Sequence, residues 1–351
     1  MRDPVLAIWA LYLMLVPIYV FSSGLPQPGD WIIIVLGPMV IRPWNGRLDP
    51  SMLQALRPLL LFTGYVIAAN LMWSVVLNAW SIGLKNGFGL SPVFYIYNAF
   101  VFLVVLVLYR RYRTNLLWFT GKVILAALIS QSLFALVFGG GVGRATLMFN
   151  NPNQLGYFAL LSVNILFLLH RKKRVSTVEL AVGSMFASYL ALLSASKAAL
   201  GGVALIALVG AVVRLRTTLI IVAVFAITFV VAEPMRDAFD QTITRFETDQ
   251  SASFAEERGY DRIAEYPEYW ALGAGEGAYN RYRHDSSLGA HEIHSSIGTL
   301  FFSYGFVGTL LFALFLWRVM AGSGFRTWSM ILPSLAYGMT HQGLRTTLFW
   351  V

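Results

Sequence analysis

Cysteine is absent from the 351 residues, which excludes disulfides, thiolate catalysis and cysteine-ligated metals. The compartment stays open, because an exported loop can do without disulfides. Charge is scarce as well. Only 12% of residues are Asp, Glu, Lys or Arg against 57% hydrophobic, roughly half the ~25% charged share of an ordinary globular domain. A soluble fold of this composition would need a larger core than the length can enclose. There is no internal repeat, heptad pattern or low-complexity tail. No small-residue cleavage site follows the first hydrophobic run, residues 4–29, so it reads as a membrane span rather than a signal peptide.

What is present are uncharged runs such as 58–80, 92–109, 150–169 and 295–317, each of about eighteen residues or more and so long enough to cross a hydrocarbon core. In lipid the backbone must be satisfied within the segment, which makes them helices. The expected fold class is an all-α polytopic integral membrane protein of about eleven transmembrane helices. It is read as one integral domain, residues 1–351, with a large polar loop at 233–294 inserted between two spans. Run 31–41 is short and carries Pro38, so it is tilted, broken or re-entrant. Inside the loop, 235–248 and 256–270 are expected to be short amphipathic helices at the interface.

The net charge of +9 is unevenly spread. Thirteen of the seventeen acids lie between Glu233 and Glu292, with six arginines and no lysine. Basic clusters at Arg42/Arg47/Arg57, Arg110/Arg111/Arg113, Arg171 to Arg174, Arg214/Arg216 and Arg318/Arg326 fall in every second connection. The positive-inside rule makes those connections cytoplasmic, with the N-terminus inside and the C-terminus outside. Lys122 lies inside the fifth span and is expected to snorkel. The connections at 84–91, 139–153, 194–201 and 233–294 then face outward.

Three outward connections hold chemistry-bearing residues. In the first, glycines at 139–141 and 143 present Arg144, and Asn150, Asn151, Pro152, Asn153 and Gln154 follow. Glycine-rich backbone with an arginine suits an anion such as a phosphate, and the Asn-Pro pair equally suits a helix cap. The second places Lys197 between small residues, either as a further cation for the same anion or in a tight helical hairpin. The third runs through Gly273-Ala-Gly-Glu276-Gly to His291, Glu292 and His294. His294 at the outer end of a span is a candidate base near neutral pH. A metal on His291, Glu292 and His294 lacks a defined third ligand or second shell, so no metal and no cofactor are expected. The glycine run follows no predicted strand and is no dinucleotide fingerprint; a turn is expected there. Arg258, Arg262, Arg281 and Arg283 add cations, and Tyr260, Tyr266, Tyr269, Trp270, Tyr279 and Tyr282 add rings, which together suit sugar stacking or phosphate binding, although each ring taken alone fits a membrane-interface belt better. Arg345 lies near the outer face, as a site cation or an interfacial anchor.

His294-Ser295, nine residues and Gly305-Phe-Val-Gly308, together with Asn151-Pro-Asn153, the Ser196-Lys197 hairpin and the Gly-x-Gly-x-Gly stretch, span residues 140–310 in order. In this the chain resembles the O-antigen ligase and polymerase superfamily of bacterial envelope enzymes. Lys197 stands where members often carry arginine, and about eleven spans stand where twelve are common; these departures lean the expectation toward polymerase over ligase. The resemblance implies a GT-C-like fold in the bacterial inner membrane. It implies periplasmic transfer from an undecaprenyl-pyrophosphate-linked glycan to a glycan or lipid A core acceptor, without metal. His294 and Arg258 would be catalytic. Arg144, Lys197, Asn151, Asn153, Arg262, Glu276 and Arg345 would bind substrate, with Glu276 also the obvious carboxylate for a covalent route. The bilayer is the other expected partner and nucleic acid is not one. The competing class is a polysaccharide or lipid-linked sugar flippase, which ionisable groups at mid-span would favour; apart from Lys122 the spans lack them.

Overall fold

The computed structural model describes residues 3–22, 24–42, 48–81, 87–138, 143–248, 255, 258–282 and 292–351. All regular structure among them is helical. Six helices are long and apolar enough to cross a membrane: α3 (Pro50–Val76), α4 (Leu90–Tyr112), α5 (Thr114–Phe138), α6 (Pro152–Arg171), α7 (Thr177–Ser194) and α11 (Ser296–Met320). The chain is a polytopic membrane protein. The count is seven if the pair Leu215–Val231 and Glu233–Thr244, bent by 95°, forms one span. Helices α1 (Pro4–Leu15) and α2 (Pro28–Ile41) are apolar but short. At 12 and 14 residues they reach about 18 and 21 Å, less than the ~30 Å hydrocarbon core. Run 4–29 is therefore not one helix: α1 stops at Leu15, Pro17 and Pro26 follow, and Pro28 opens α2. The remaining helices are α8 (Lys197–Val231), α9 (Glu233–Thr248), the short α10 (Asp261–Glu265) and α12 (Phe325–Gly338).

Two compact units divide the chain, one made of residues 1–45, 104–250 and 323–337, the other of 46–103, 251–322 and 338–351. The division falls inside the polar segment 233–294. Its first part, α9, is the expected amphipathic helix begun slightly earlier. In 256–270 the described helical pieces are Arg258, α10 and a single 3-10 turn, Pro267–Tyr269.

In the first unit, α8 folds back on itself. A Cβ on Gly210 would lie 3.0 Å from the Thr218 hydroxyl, whereas positions eight apart in a straight helix are separated by about 12 Å. Leu200 and Phe229, near its two ends, pack on the same cluster of Ala135, Tyr189, Leu192, Met235 and Ala238. The reversal falls at Arg214 and Arg216, the basic turn expected from charge spacing. Other basic connections of this unit are tied to neighbouring elements by polar contacts. The Tyr112 hydroxyl donates to Asp3 at 2.8 Å, the Arg171 guanidinium donates to Thr327 Oγ1 at 2.9 Å, and Lys122 pairs with Glu179 beside the start of α7. Lys122 thus has a carboxylate partner. The opposite end collects the glycine- and asparagine-rich connections: the Tyr19 amide donates to the Met148 carbonyl at 2.8 Å, and the Thr242 hydroxyl donates to the Leu192 carbonyl at 3.1 Å.

In the second unit α3 packs along α11. Phe62, Tyr95, Tyr304 and Phe312 meet there edge-on or tilted, with centroids 5.3 to 6.1 Å apart, and Phe62 and Tyr304 are fully buried. Such offset ring contacts add to the area term of the core.

Candidate functional site

The first unit brings Arg144, Asn151, Asn153 and the turn before Lys197 together. Asn151 caps α6, its side chain accepting from the Asn153 amide at 2.8 Å, and Pro152 occupies the first helical position, where its missing N–H costs nothing. Half-buried Arg144 donates from Nε to the Ser194 carbonyl at 3.0 Å and from Nη2 to the Asn153 side-chain oxygen. The Tyr337 hydroxyl donates to the Asn153 carbonyl at 2.8 Å. Ala195 takes a left-handed conformation, φ 43°, to turn α7 into α8, and exposed Lys197 is the first residue of α8. Gly156 lets this hairpin approach α6, since a Cβ there would sit 2.7 Å from Ser194 Oγ. The helix-cap and tight-hairpin readings are both realised here, with an arginine held by neutral oxygens.

In the second unit the two glycine motifs form one interlocked feature. Gly305 breaks α11 at φ 61° and ψ −165°, a region essentially reserved for glycine. A break in a span frees backbone groups that lipid cannot satisfy. Here the chain 270–275 satisfies them. The amides of Ala274 and Gly275 donate to the Phe302 and Ser303 carbonyls at 2.9 and 2.8 Å, while the Phe306 and Val307 amides donate to the Trp270 and Ala271 carbonyls at 2.7 and 3.4 Å. The approach requires bare backbone, because a Cβ on Gly273 would run into Ser303 and Tyr304 main chain. α3 holds the far side: the Tyr65 hydroxyl donates to the Leu272 carbonyl at 2.7 Å and Trp73 Nε1 to the Gly273 carbonyl at 3.0 Å. The expected turn is present at 270–272, and the segment after it forms a plug against α11, entering about 14 Å from the helix start if nine residues rise normally.

The plug carries Glu276, fully buried. Its amide donates to Asn70 Oδ1 at 2.9 Å, and its carbonyl accepts from Ser91 at 2.7 Å. One carboxylate oxygen accepts from Arg345 at 2.6 Å and the other from the Tyr304 hydroxyl at 2.9 Å. Arg345 also grips Glu292 through both nitrogens, at 3.1 and 2.9 Å, and lies 5.2 Å from the Phe94 ring centroid. Burial disfavours the arginine's charge, but Glu292 and Glu276 outweigh it and hold its pKa well above the ordinary value. Burial, then the neighbouring Glu276, raises the Tyr279 hydroxyl well above its usual range. One guanidinium, Arg345, is thus shared between two carboxylates, Glu276 and Glu292.

At the head of α11, the His294 amide donates to the Arg258 carbonyl at 3.1 Å, and Arg258 Nη1 donates to the Thr340 carbonyl at 2.9 Å. Ser295 caps the helix, accepting from the Gly298 amide at 3.0 Å, and Tyr260 bonds both Ser295 Oγ and the Met339 carbonyl at 2.6 Å. The Ser296 amide donates to the His341 carbonyl at 3.1 Å. His294 is exposed on this frame. Arg262 lies 5.0 Å from the Tyr282 centroid, and Arg281 is ringed by Trp73, Phe88, Tyr269 and Tyr282 at 4.5 to 5.8 Å. Burial lowers the Arg281 pKa. Those rings are therefore cation contacts as much as an interface belt.

His291, Arg283 and the glycines 139–141 lie outside the described residues. Among the described residues no group of three or more His, Asp or Glu is arranged to hold a metal. Sequence reasoning overlooked Asn70, Ser91, Tyr95 and Tyr304 around Glu276; the signal for them was polar residues recurring on otherwise apolar runs. Compared with models of known families, with characterised proteins and with solved structures, the chain matches none.

Proposed function

We infer that the chain is a metal-independent membrane glycosyltransferase. Its donor is an undecaprenyl-pyrophosphate-linked glycan and its acceptor a sugar hydroxyl at the periplasmic face of the bacterial inner membrane, within an eleven-span, GT-C-like architecture. The observation that carries the reading is exposed His294 fixed through its own amide to Arg258 at the head of α11. His294 takes the proton of the attacking hydroxyl, the acceptor oxygen bonds the anomeric carbon, and the bond to pyrophosphate breaks as Arg258 meets the departing charge. A single displacement inverts the anomeric centre. Glu276 is buried with both oxygens occupied, which suits that route better than a covalent one. Arg144 and Lys197 are candidate anion contacts of the first unit.

The test is vesicle reconstitution with purified lipid-linked repeat units. Elongation is expected in the native protein, with a fall of about 10²-fold or more in His294→Ala at unchanged membrane insertion. Full activity in that variant sinks the assignment. One observation favours the second reading, a flippase: α11 is broken where a plug brings a buried carboxylate against it, as in transporters with discontinuous helices. Movement of labelled lipid-linked sugar across the same vesicles without elongation would decide for it.

A further inference from the structure

The first unit contains a groove at its basic end that the transferase reading leaves unused. It is a cavity of about 490 Å³ between the start of α7 and the second leg of α8, within the size range of small-molecule sites. Its walls are apolar: Val178 and Ala181 on one side, Ile220 and Val224 on the other. Its head is polar, formed by Arg216 with Thr177 and Thr217. Arg216 and Val178 are exposed, and Ile220 is 39% exposed. Just before Thr177 the chain runs Arg171-Lys172-Lys173-Arg174, with both lysines exposed. The nearby acid, Glu179, is paired with Lys122 and accepts from the Ser176 amide at 2.9 Å, so the head of the groove remains net positive.

We propose that this groove binds one anionic phospholipid, its phosphate at Arg216 and an acyl chain along the Ala181–Ile220–Val224 wall. Charge complementarity selects the occupant. A cation at the end of an apolar trough matches a lipid whose charge and chain are joined, and basic residues at a bilayer surface favour anionic headgroups. The walls run along the helix axes for about 10 Å, from Thr217 to Val224 at the usual rise, which suits a chain lying parallel to the spans. The site stands apart from the glycosyl-transfer reading and holds whether or not that reading does.

Native mass spectrometry of the full chain in non-ionic detergent tests it, with phosphatidylglycerol and phosphatidylcholine of matched chains. Wild type is expected to retain phosphatidylglycerol about fivefold better, as roughly 1 kcal/mol per basic residue gives. Arg216→Gln should erase that preference. Ala181→Trp, or Val224→Trp if the first fails to fold, should block retention with Arg216 intact. Equal retention of the two lipids by wild type overturns the proposal. So does loss in Arg216→Gln with full retention in both tryptophan variants, which means diffuse surface attraction. Inorganic phosphate protecting the protein from thermal unfolding as well as phosphatidylglycerol does would also overturn it, since the chain would then contribute nothing.

Discussion

Each unit holds a half-buried arginine, and the two are held differently. Arg144 in the first donates to a main-chain carbonyl and a side-chain amide oxygen, contacts that orient the guanidinium. Arg345 in the second is clasped by two carboxylates, and its charge is spent inside the protein. The difference separates a guanidinium oriented by neutral oxygens from one paired with carboxylates. On sequence grounds both are candidate substrate contacts, Arg144 more strongly than Arg345, whose reading as an interfacial anchor stands at least level.

Replacing the two arginines is the strongest way to break this contrast. Arg345→Met strands buried Glu276 and is expected to cost about 3–5 kcal/mol, with part of the loss recovered when Glu276→Gln is added. Arg144→Met removes hydrogen bonds to neutral groups and should cost about 1–2 kcal/mol. Thermal unfolding in detergent reads both, and equal losses would erase the distinction. Next in size is Gly305→Ala, which forces a Cβ into a glycine-only conformation and toward the Ala271 carbonyl. A loss of about 2–3 kcal/mol is expected, and a neutral result would show the break to be dispensable. The smallest effect is a pH dependence. The Tyr279 hydroxyl is held well above the ordinary tyrosine value of about 10. Above pH 10 the unfolded chain has released this proton and the folded chain keeps it, so folding stability falls as pH rises further. Tyr279→Phe should flatten that fall; an unchanged slope would assign it to other groups.

Charge spacing made much of the first unit legible. The alternation of basic connections anticipated the reversal of α8 at Arg214 and Arg216. Asn151-Pro152 was readable as a cap because capping is local. The second unit was less legible because its determinants are distant in sequence. Glu276 and Arg345 stand 69 positions apart, and nothing local marks either as the other's partner. Gly305 and the 273–277 glycines were visible as motifs, but their meaning lies in backbone hydrogen bonds exchanged between them, which spacing does not encode. Span counting from hydropathy also passed over where prolines end a helix, as between α1 and α2.

The break at Gly305 ties the amides of Ala274, Gly275 and Phe306 to one another. None can open to solvent while its counterparts stay closed without leaving a buried backbone group unsatisfied. Their hydrogens should therefore exchange with deuterium as a single cooperative block, slower than helix ends, although Ala274 and Gly275 belong to no helix.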